Sequence, residues 1–219
     1  MTRVGPAPDP DTRERLLAAG TRLFAEHGFH NVSVRDLCTE AGANVAAVNY
    51  HFGGKLGLYR EVVGTAITAI RAVSDALTRT DDDAPPEDRL RHYVRAFLPT
   101  LAGRDKRIEA ARVGWIHQLM RHETSDPTPL APWIAEQAVM PRVQYLSRLV
   151  AELIGCDLAD PRVKRCVVSI QAQCVFYAPD KFREAAFPGW PPSAAELARA
   201  ADHIAEFSLA GIRRIAEDL

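Results

Sequence analysis

The chain has 219 residues, 47% of them hydrophobic and 25% charged, with a formal net charge of −1. A chain of this size and balance buries a core without disulfide or metal staples, and near-neutrality gives no global signal for nucleic acid or an anionic membrane surface. No apolar run approaches 18 residues and the N-terminus, MTRVGPAPDPDTR, has no apolar h-region, so neither a membrane span nor a signal peptide is expected and the protein reads as cytoplasmic.

Cys38, Cys156, Cys166 and Cys174 form no CxxC pair. They are expected to be buried small apolar residues in a reducing compartment. Cys166 and Cys174 lie two helical turns apart, too far to bridge.

Residues 1–9, rich in Pro and small residues, read as a flexible tail. Asp11 then looks like an N-cap, with Glu14 completing a capping box. Leu16, Leu17, Gly20, Leu23 and Phe24 form an amphipathic stripe that ends at Gly28. Ser33 and Asp36 make a second capping box. Val34, Leu37, Cys38 and Ala41 give that helix its apolar face, and Gly42 stops it. Asn44 caps a third, short helix whose apolar positions are Val45, Val48 and Phe52. Two short helices joined by a tight turn containing glycine are a helix-turn-helix pattern.

Leu56 to Thr78 reads as one long helix. The acidic, proline-bearing DDDAPPED (Asp81 to Asp88) interrupts it as a loop. Helices follow over Asp88–Leu101 and Ile108–His122. Another covers Trp133–Ile154 and is kinked or split at Pro141, and another runs from Asp160 and Pro161 to Tyr177. FPGWPP is a rigid loop, and Ser193 with Glu196 starts the last helix. No strand pattern occurs. The expected fold is all-α, an N-terminal three-helix helix-turn-helix domain joined by a long helix to a larger helical C-terminal domain.

The third helix is too short to persist alone in water. Val48 and Phe52 would dock it, leaving Val45, Ala46, Ala47, Asn49, Tyr50 and His51 facing elsewhere. Small and polar residues on a helix held by its back suit a DNA major groove. Asn49 can pair with an adenine edge, while Tyr50 and His51 can donate to phosphates. Lys55 is placed to meet a phosphate, and Ser33 and Arg35 add a hydroxyl and a guanidinium at the positive end of the second helix. Residues 1–62 carry seven Arg and Lys against seven Asp and Glu, a net charge of zero, so only modest nonspecific affinity is expected.

Residues 11–60, through LLAAGTRLFAEHGFHNVSVRDLCTEAG and VNYHFGGKLGLY, resemble the DNA-binding domain of TetR-family transcriptional regulators. The family usually has an aromatic where this chain has Asn49, so the phosphate contact usual there is lost, shifted to Tyr50 or replaced by base contact from Asn49. The resemblance implies a homodimer with an N-terminal DNA-binding domain, Ser33, Arg35, Asn44–Ala47, Asn49–His51 and Lys55 at its DNA interface. It also implies a C-terminal domain that dimerises and binds a small effector.

The domain boundaries expected are 1–9 for the tail, 10–55 for DNA binding and 56–219 for effector binding and dimerisation. Trp115, Gln173 and Phe176 are the candidate effector contacts. Arg162–Tyr177 and Ala194–Ile215 sit where the family builds its dimer bundle. Their stripes, Val163, Cys166, Val167, Ile170 and Cys174, then Leu197, Ala201, Ile204, Phe207 and Ile212, could equally be core. A ligand-released repressor of a pseudopalindromic operator is the expected function.

The competing reading is a helical dimeric interaction module without sequence-specific DNA binding. An enzyme is not expected. HExxH, GxSxG, P-loop and GxGxxG patterns are absent, and His117 and His122, five apart, diverge on a helix. No cofactor or metal is called for.

Overall fold

The computed structural model describes residues 10–78, 84–103 and 114–217. Every regular element among them is helical. The helices are α1 (Pro10–His27), α2 (Val34–Ala41), α3 (Val45–Phe52), α4 (Lys55–Thr78), α5 (Pro86–Leu101) and α6 (Gly114–Ser125). A short α7 (Ala131–Ile134), a π-helical turn (Ala135–Val139), α8 (Met140–Ile154), α9 (Pro161–Val175), α10 (Lys181–Ala186) and α11 (Ala194–Glu217) follow. Among the described residues no helix is long and apolar enough to cross a membrane.

The chain divides into two compact units. One comprises Met1–Ala69 and Val113–Ala135, the other Ile70–Arg112 and Glu136–Leu219. In the first, α1 packs against α2, α3 and α6. Its core holds Leu16, Phe24, Leu37, Val48, Leu58, Tyr59 and Val62, drawn from the apolar stripes of four helices. α6 supplies Ile116 and Leu119, so residues far along the sequence complete this unit.

In the second unit α5, α8, α9 and α11 enclose a core around Tyr93, Phe97, Leu146, Leu149, Ile170 and Ile204. The α9 stripe, Val163, Cys166, Val167, Ile170 and Cys174, is buried within the chain, as are Leu197, Ala201, Ile204 and Ile212 of α11. Those stripes are therefore intramolecular core. Phe207 departs from its stripe and is 64% exposed. All four cysteines are unbridged thiols.

Several boundaries differ from the sequence expectation. α1 starts at Pro10, so Asp11 lies in its first turn beside Arg15 instead of capping it. Proline suits that position because its missing N–H has no helical acceptor there. For the same reason α5 starts at Pro86, inside the stretch expected to be loop. The expected Trp133–Ile154 helix is interrupted before Pro141, by the π-helical turn, and Pro141 sits in the first turn of α8. α9 ends at Val175, short of Tyr177, and α10 is an additional helix that the sequence pattern does not mark. The start of the expected Ile108–His122 helix and the Asp81–Asp83 part of the acidic run lie outside the described residues.

One glycine sets the corner between α3 and α4. A Cβ at Gly57 would stand 1.7 Å from the Phe52 carbonyl oxygen. Gly64, about two turns further along α4, faces open space. Gly57→Ala is therefore expected to cost about 2–3 kcal/mol by forcing α4 off α3. Gly64→Ala should stabilise by about 0.5–1 kcal/mol through helix propensity. Urea denaturation of the two variants checks both signs.

Candidate nucleic-acid interface

Local backbone chemistry defines α2 and α3 at both ends. The Ser33 N–H donates to Asp36 Oδ2 at 2.8 Å, and the Asp36 N–H donates to Ser33 Oγ at 3.2 Å. These hydrogen bonds to Ser33 hold the Asp36 carboxyl below the ordinary range. α2 stops where Gly42 turns left-handed, at φ 59°, a conformation open to glycine at little cost. Two residues on, the Ala47 N–H donates to Asn44 Oδ1 at 2.9 Å and starts α3. The helix ends at Gly53, again left-handed, with its N–H on the Asn49 carbonyl at 2.9 Å.

Tertiary contacts then fix how α3 is turned. Val48 is fully buried and Phe52 nearly so. The Arg13 guanidinium covers the Phe52 ring at 5.4 Å and also pairs with Glu61 of α4. With its back held, α3 presents Val45 (47% exposed), Ala46, Asn49 and Tyr50 (70% exposed) to solvent. Ala47 is half-buried at the edge of this face. Ser33 and Arg35 are exposed at the N-terminus of α2. Arg13, Arg15 and Arg22 are paired with Glu61, Asp11 and the Glu26 and Glu40 carboxylates. Arg35 has no ion-pair partner among the described residues.

Two of the ten expected contact residues turn their nitrogens inward. Lys55 Nζ donates to the Phe29 and Val32 carbonyls at 2.9 and 2.8 Å and lies 4.1 Å above the Phe29 ring. Burial lowers its pKa. Its charge closes the loop between α1 and α2, which places Ser33. His51 is half-buried between Tyr50 and Phe52, and its Nε2 is enclosed without a hydrogen-bond partner among the described residues. A phosphate cannot reach that atom in this arrangement, whereas the Tyr50 side chain is open to solvent. Asn44 spends its side-chain oxygen on the cap.

Contacts between distant residues carry information that sequence spacing does not. Arg15 Nε donates to the Ala41 carbonyl at 3.0 Å and so tethers the end of α2 to α1. Glu123, almost fully buried, accepts from the Tyr59 hydroxyl at 2.5 Å, the Thr128 hydroxyl at 2.8 Å and the Thr128 N–H at 3.2 Å. Tyr59 sits 4.9 Å from both the Phe24 and the Phe29 rings. Burial, then its bond to Glu123, drives its pKa upward. His122 abuts Gly28, 3.0 Å from where a Cβ would be. The C-terminal turn of α6 is thus seated on the loop that Lys55 closes. Glu123 is held by these three hydrogen bonds, and the His117 and His122 Nε2 atoms are enclosed without partners among the described residues. Burial also lowers the His117 pKa. These groups form no acid–base constellation.

The three candidate effector contacts are not gathered in one compact unit. Trp115 is half-buried on α6 in the first. In the second, Gln173 donates to the Ser169 carbonyl of its own helix at 3.3 Å. Phe176 is exposed, edge-on to Phe187 and Trp190 at 5.8 and 5.6 Å.

Residues 86–212 match the family described as the C-terminal domain of the HTH-type transcriptional dual regulator CecR. Residues 16–62 match the bacterial regulatory proteins of the tetR family. CecR of Shigella flexneri is 26% identical over 160 residues, 69% of this chain and 68% of that protein. The HTH-type transcriptional regulator LmrA of Bacillus subtilis (strain 168) is 36% identical over 94 residues. That match spans 42% of this chain and 46% of LmrA, less than half of its length. The crystal structure of a transcriptional regulator from Rhodococcus sp. Rha1 superposes with a TM-score of 0.55 at 18% identity. It covers 92% of this chain and 96% of its own; at that identity the likeness is one of fold.

The inward-facing ammonium separates structural from DNA-contacting cations. Lys55→Ala should lower stability by about 1.5–3 kcal/mol, the range for hydrogen bonds to a charged group. It should leave the slope of log affinity against log salt unchanged, whereas loss of a phosphate contact lowers that slope by about one. Urea melts and salt titrations on duplex DNA read the two effects.

Proposed function

We propose that this chain, which belongs to the tetR family of bacterial regulatory proteins and is a DNA-binding transcriptional regulator of that type, is a ligand-released repressor. In this reading it binds a pseudopalindromic operator as a homodimer. The observation that carries it is the α3 face. A helix of eight residues, capped at both ends and pinned by Val48 and Phe52, exposes small and polar side chains where a groove would meet them. Ala46 and Val45 permit close backbone approach and contact with thymine methyl groups, and Asn49 offers a bidentate pair to adenine. Tyr50, Ser33 and Arg35 engage phosphates and set register without reading sequence.

Dimerisation would place two such helices about 34–36 Å apart, one turn of DNA. Support for a dimer comes from apolar side chains left outward on α9 and α11, namely Val168, Val175 and Phe207. Such residues on one unit mark an association surface when they are contiguous. An effector that prefers the DNA-incompetent state would shift the equilibrium toward it. A coupling of about 1–3 kcal/mol weakens operator binding roughly 5–150-fold. α4 is suited to carry the change, being one continuous helix from Lys55, three residues after α3, to Thr78. Occupying a promoter requires no contact with polymerase, which favours repression over activation.

Selection of bound fragments from a random DNA pool tests the reading. An enriched inverted repeat is expected; its absence would favour a helical interaction module without sequence-specific binding. On the selected operator, Asn49→Ala should cost about 1–3 kcal/mol and relax one base position. Tyr50→Phe should weaken all sequences alike. Unchanged base preference in Asn49→Ala would remove that residue from direct readout.

A further inference from the structure

Three arginines among the described residues have an enclosed Nε without a hydrogen-bond partner: Arg89, Arg142 and Arg183. Arg89 pairs with Glu152 at 2.5 Å, and Arg183 has Asp180 at 3.8 Å. Arg142, in the first turn of α8, has no carboxylate partner among the described residues. It has one hydrogen bond, from Nη1 to the Ala138 carbonyl at 3.0 Å, and its guanidinium lies 5.2 Å over the Phe97 ring. Burying a guanidinium without a counter-charge is costly, and a well-packed apolar side chain would serve the core better.

The surroundings of Arg142 are of the kind that binds an organic anion. Phe97 is 5.4 Å from Tyr93, and Tyr145 stacks on Tyr93 at 6.0 Å. The fully buried Tyr93 hydroxyl accepts from Gln171 Nε2 at 2.7 Å. Its own proton has no acceptor among the described residues. Burial pushes Tyr93 up to about 12, so it stays a donor at neutral pH. Arg142 and Tyr93 thus provide donors in search of an acceptor, with aromatic surface around them. Planar carboxylates match a guanidinium fork in two parallel hydrogen bonds.

Arg142 also grips an irregular element. Its acceptor, Ala138, belongs to the π-helical turn Ala135–Val139, and π-turns recur at functional sites. The neighbouring residue of that turn, Gln137, is held from α4. Arg71 donates to its carbonyl at 3.2 Å and to its side-chain oxygen at 2.5 Å.

We infer that Arg142 is the anion anchor of the effector site, and that the effector is a small organic carboxylate whose apolar body lies against the half-buried Tyr145. The inference rests on the effector-released reading above. A carboxylate drawing Arg142 off the Ala138 carbonyl would loosen the π-turn that Arg71 ties to α4.

The test uses the full-length protein and three probes, acetate, hexanoate and benzoate, each against its uncharged amide. Hexanoate or benzoate should raise the melting temperature of the wild type by about 2–4 °C, the matching amides should not, and Arg142→Met should abolish the shift. Arg142→Met should itself melt at or above the wild-type temperature, since an unpaired charge is removed. Arg142→Lys, which keeps the charge and loses the fork, should retain a diminished response. A drop of several degrees in Arg142→Met would make the residue a structural brace and overturn the inference. So would equal responses to acids and amides, or no wild-type response to any of the three acids. Melting reads the site and operator titration reads the regulator. No sequence-specific operator binding by the ligand-free protein, with the melting response to carboxylates intact, would count against the regulator reading alone.

Discussion

The structure of the DNA-facing end depends on how α3 is held. Eight residues cannot pay the nucleation cost of a helix from their own hydrogen bonds. The helix persists because Val48 and Phe52 are buried behind it and because Asn44 and Gly53 terminate its backbone. Gly57 lets α4 start against the Phe52 carbonyl, so the helix that follows is anchored to the one that reads. Every property assigned to the exposed face, from the small residues at Val45 and Ala46 to the open Tyr50, presupposes that back-side docking.

A second layer holds the first. Lys55 closes the Phe29–Val32 loop, Phe29 and Phe24 enclose Tyr59, and Tyr59 hydrogen-bonds to Glu123 of α6. These contacts lie within one compact unit, which therefore includes α6 as well as the first three helices. A buried carboxylate with three donors is specific in geometry and intolerant of partial loss. It orients the start of α2 through the same loop that presents Ser33 and Arg35.

Much of this was legible in the sequence, and the divide is one of range. The Ser33–Asp36 box, the Asn44 cap and the Gly42 stop depend on residues three or four apart, so local spacing shows them. The docking pair Val48 and Phe52 followed from helical spacing. The all-α class followed from the absence of alternation. What spacing could not show was partnership at long range. Lys55 reads as an exposed helix-start cation until Phe29 and Val32, more than twenty residues back, supply carbonyls. His51 reads as a donor until its Nε2 is enclosed. Glu123 and Arg142 carry no local signature at all. The sequence marks a kink or split at Pro141, but the irregularity lies one turn earlier, in Ala135–Val139, which has no proline to announce it, and Pro141 is accommodated in the first turn of α8. Phe207 matched the α11 stripe by spacing yet lies outside the core, because the stripe is narrower than the apolar residues at its edge.

The central claim is that the open face of α3 meets base edges. A photoreactive side chain at Ala46, with a control at the exposed Leu158 of the other unit, tests it most directly. Cross-linking to a selected operator, followed by mapping of the modified nucleotides, should place Ala46 adducts on bases inside each half-site and none at Leu158. Adducts at Ala46 scattered along the duplex without regard to the half-sites, or no Ala46 adduct on an operator that is bound, would contradict it.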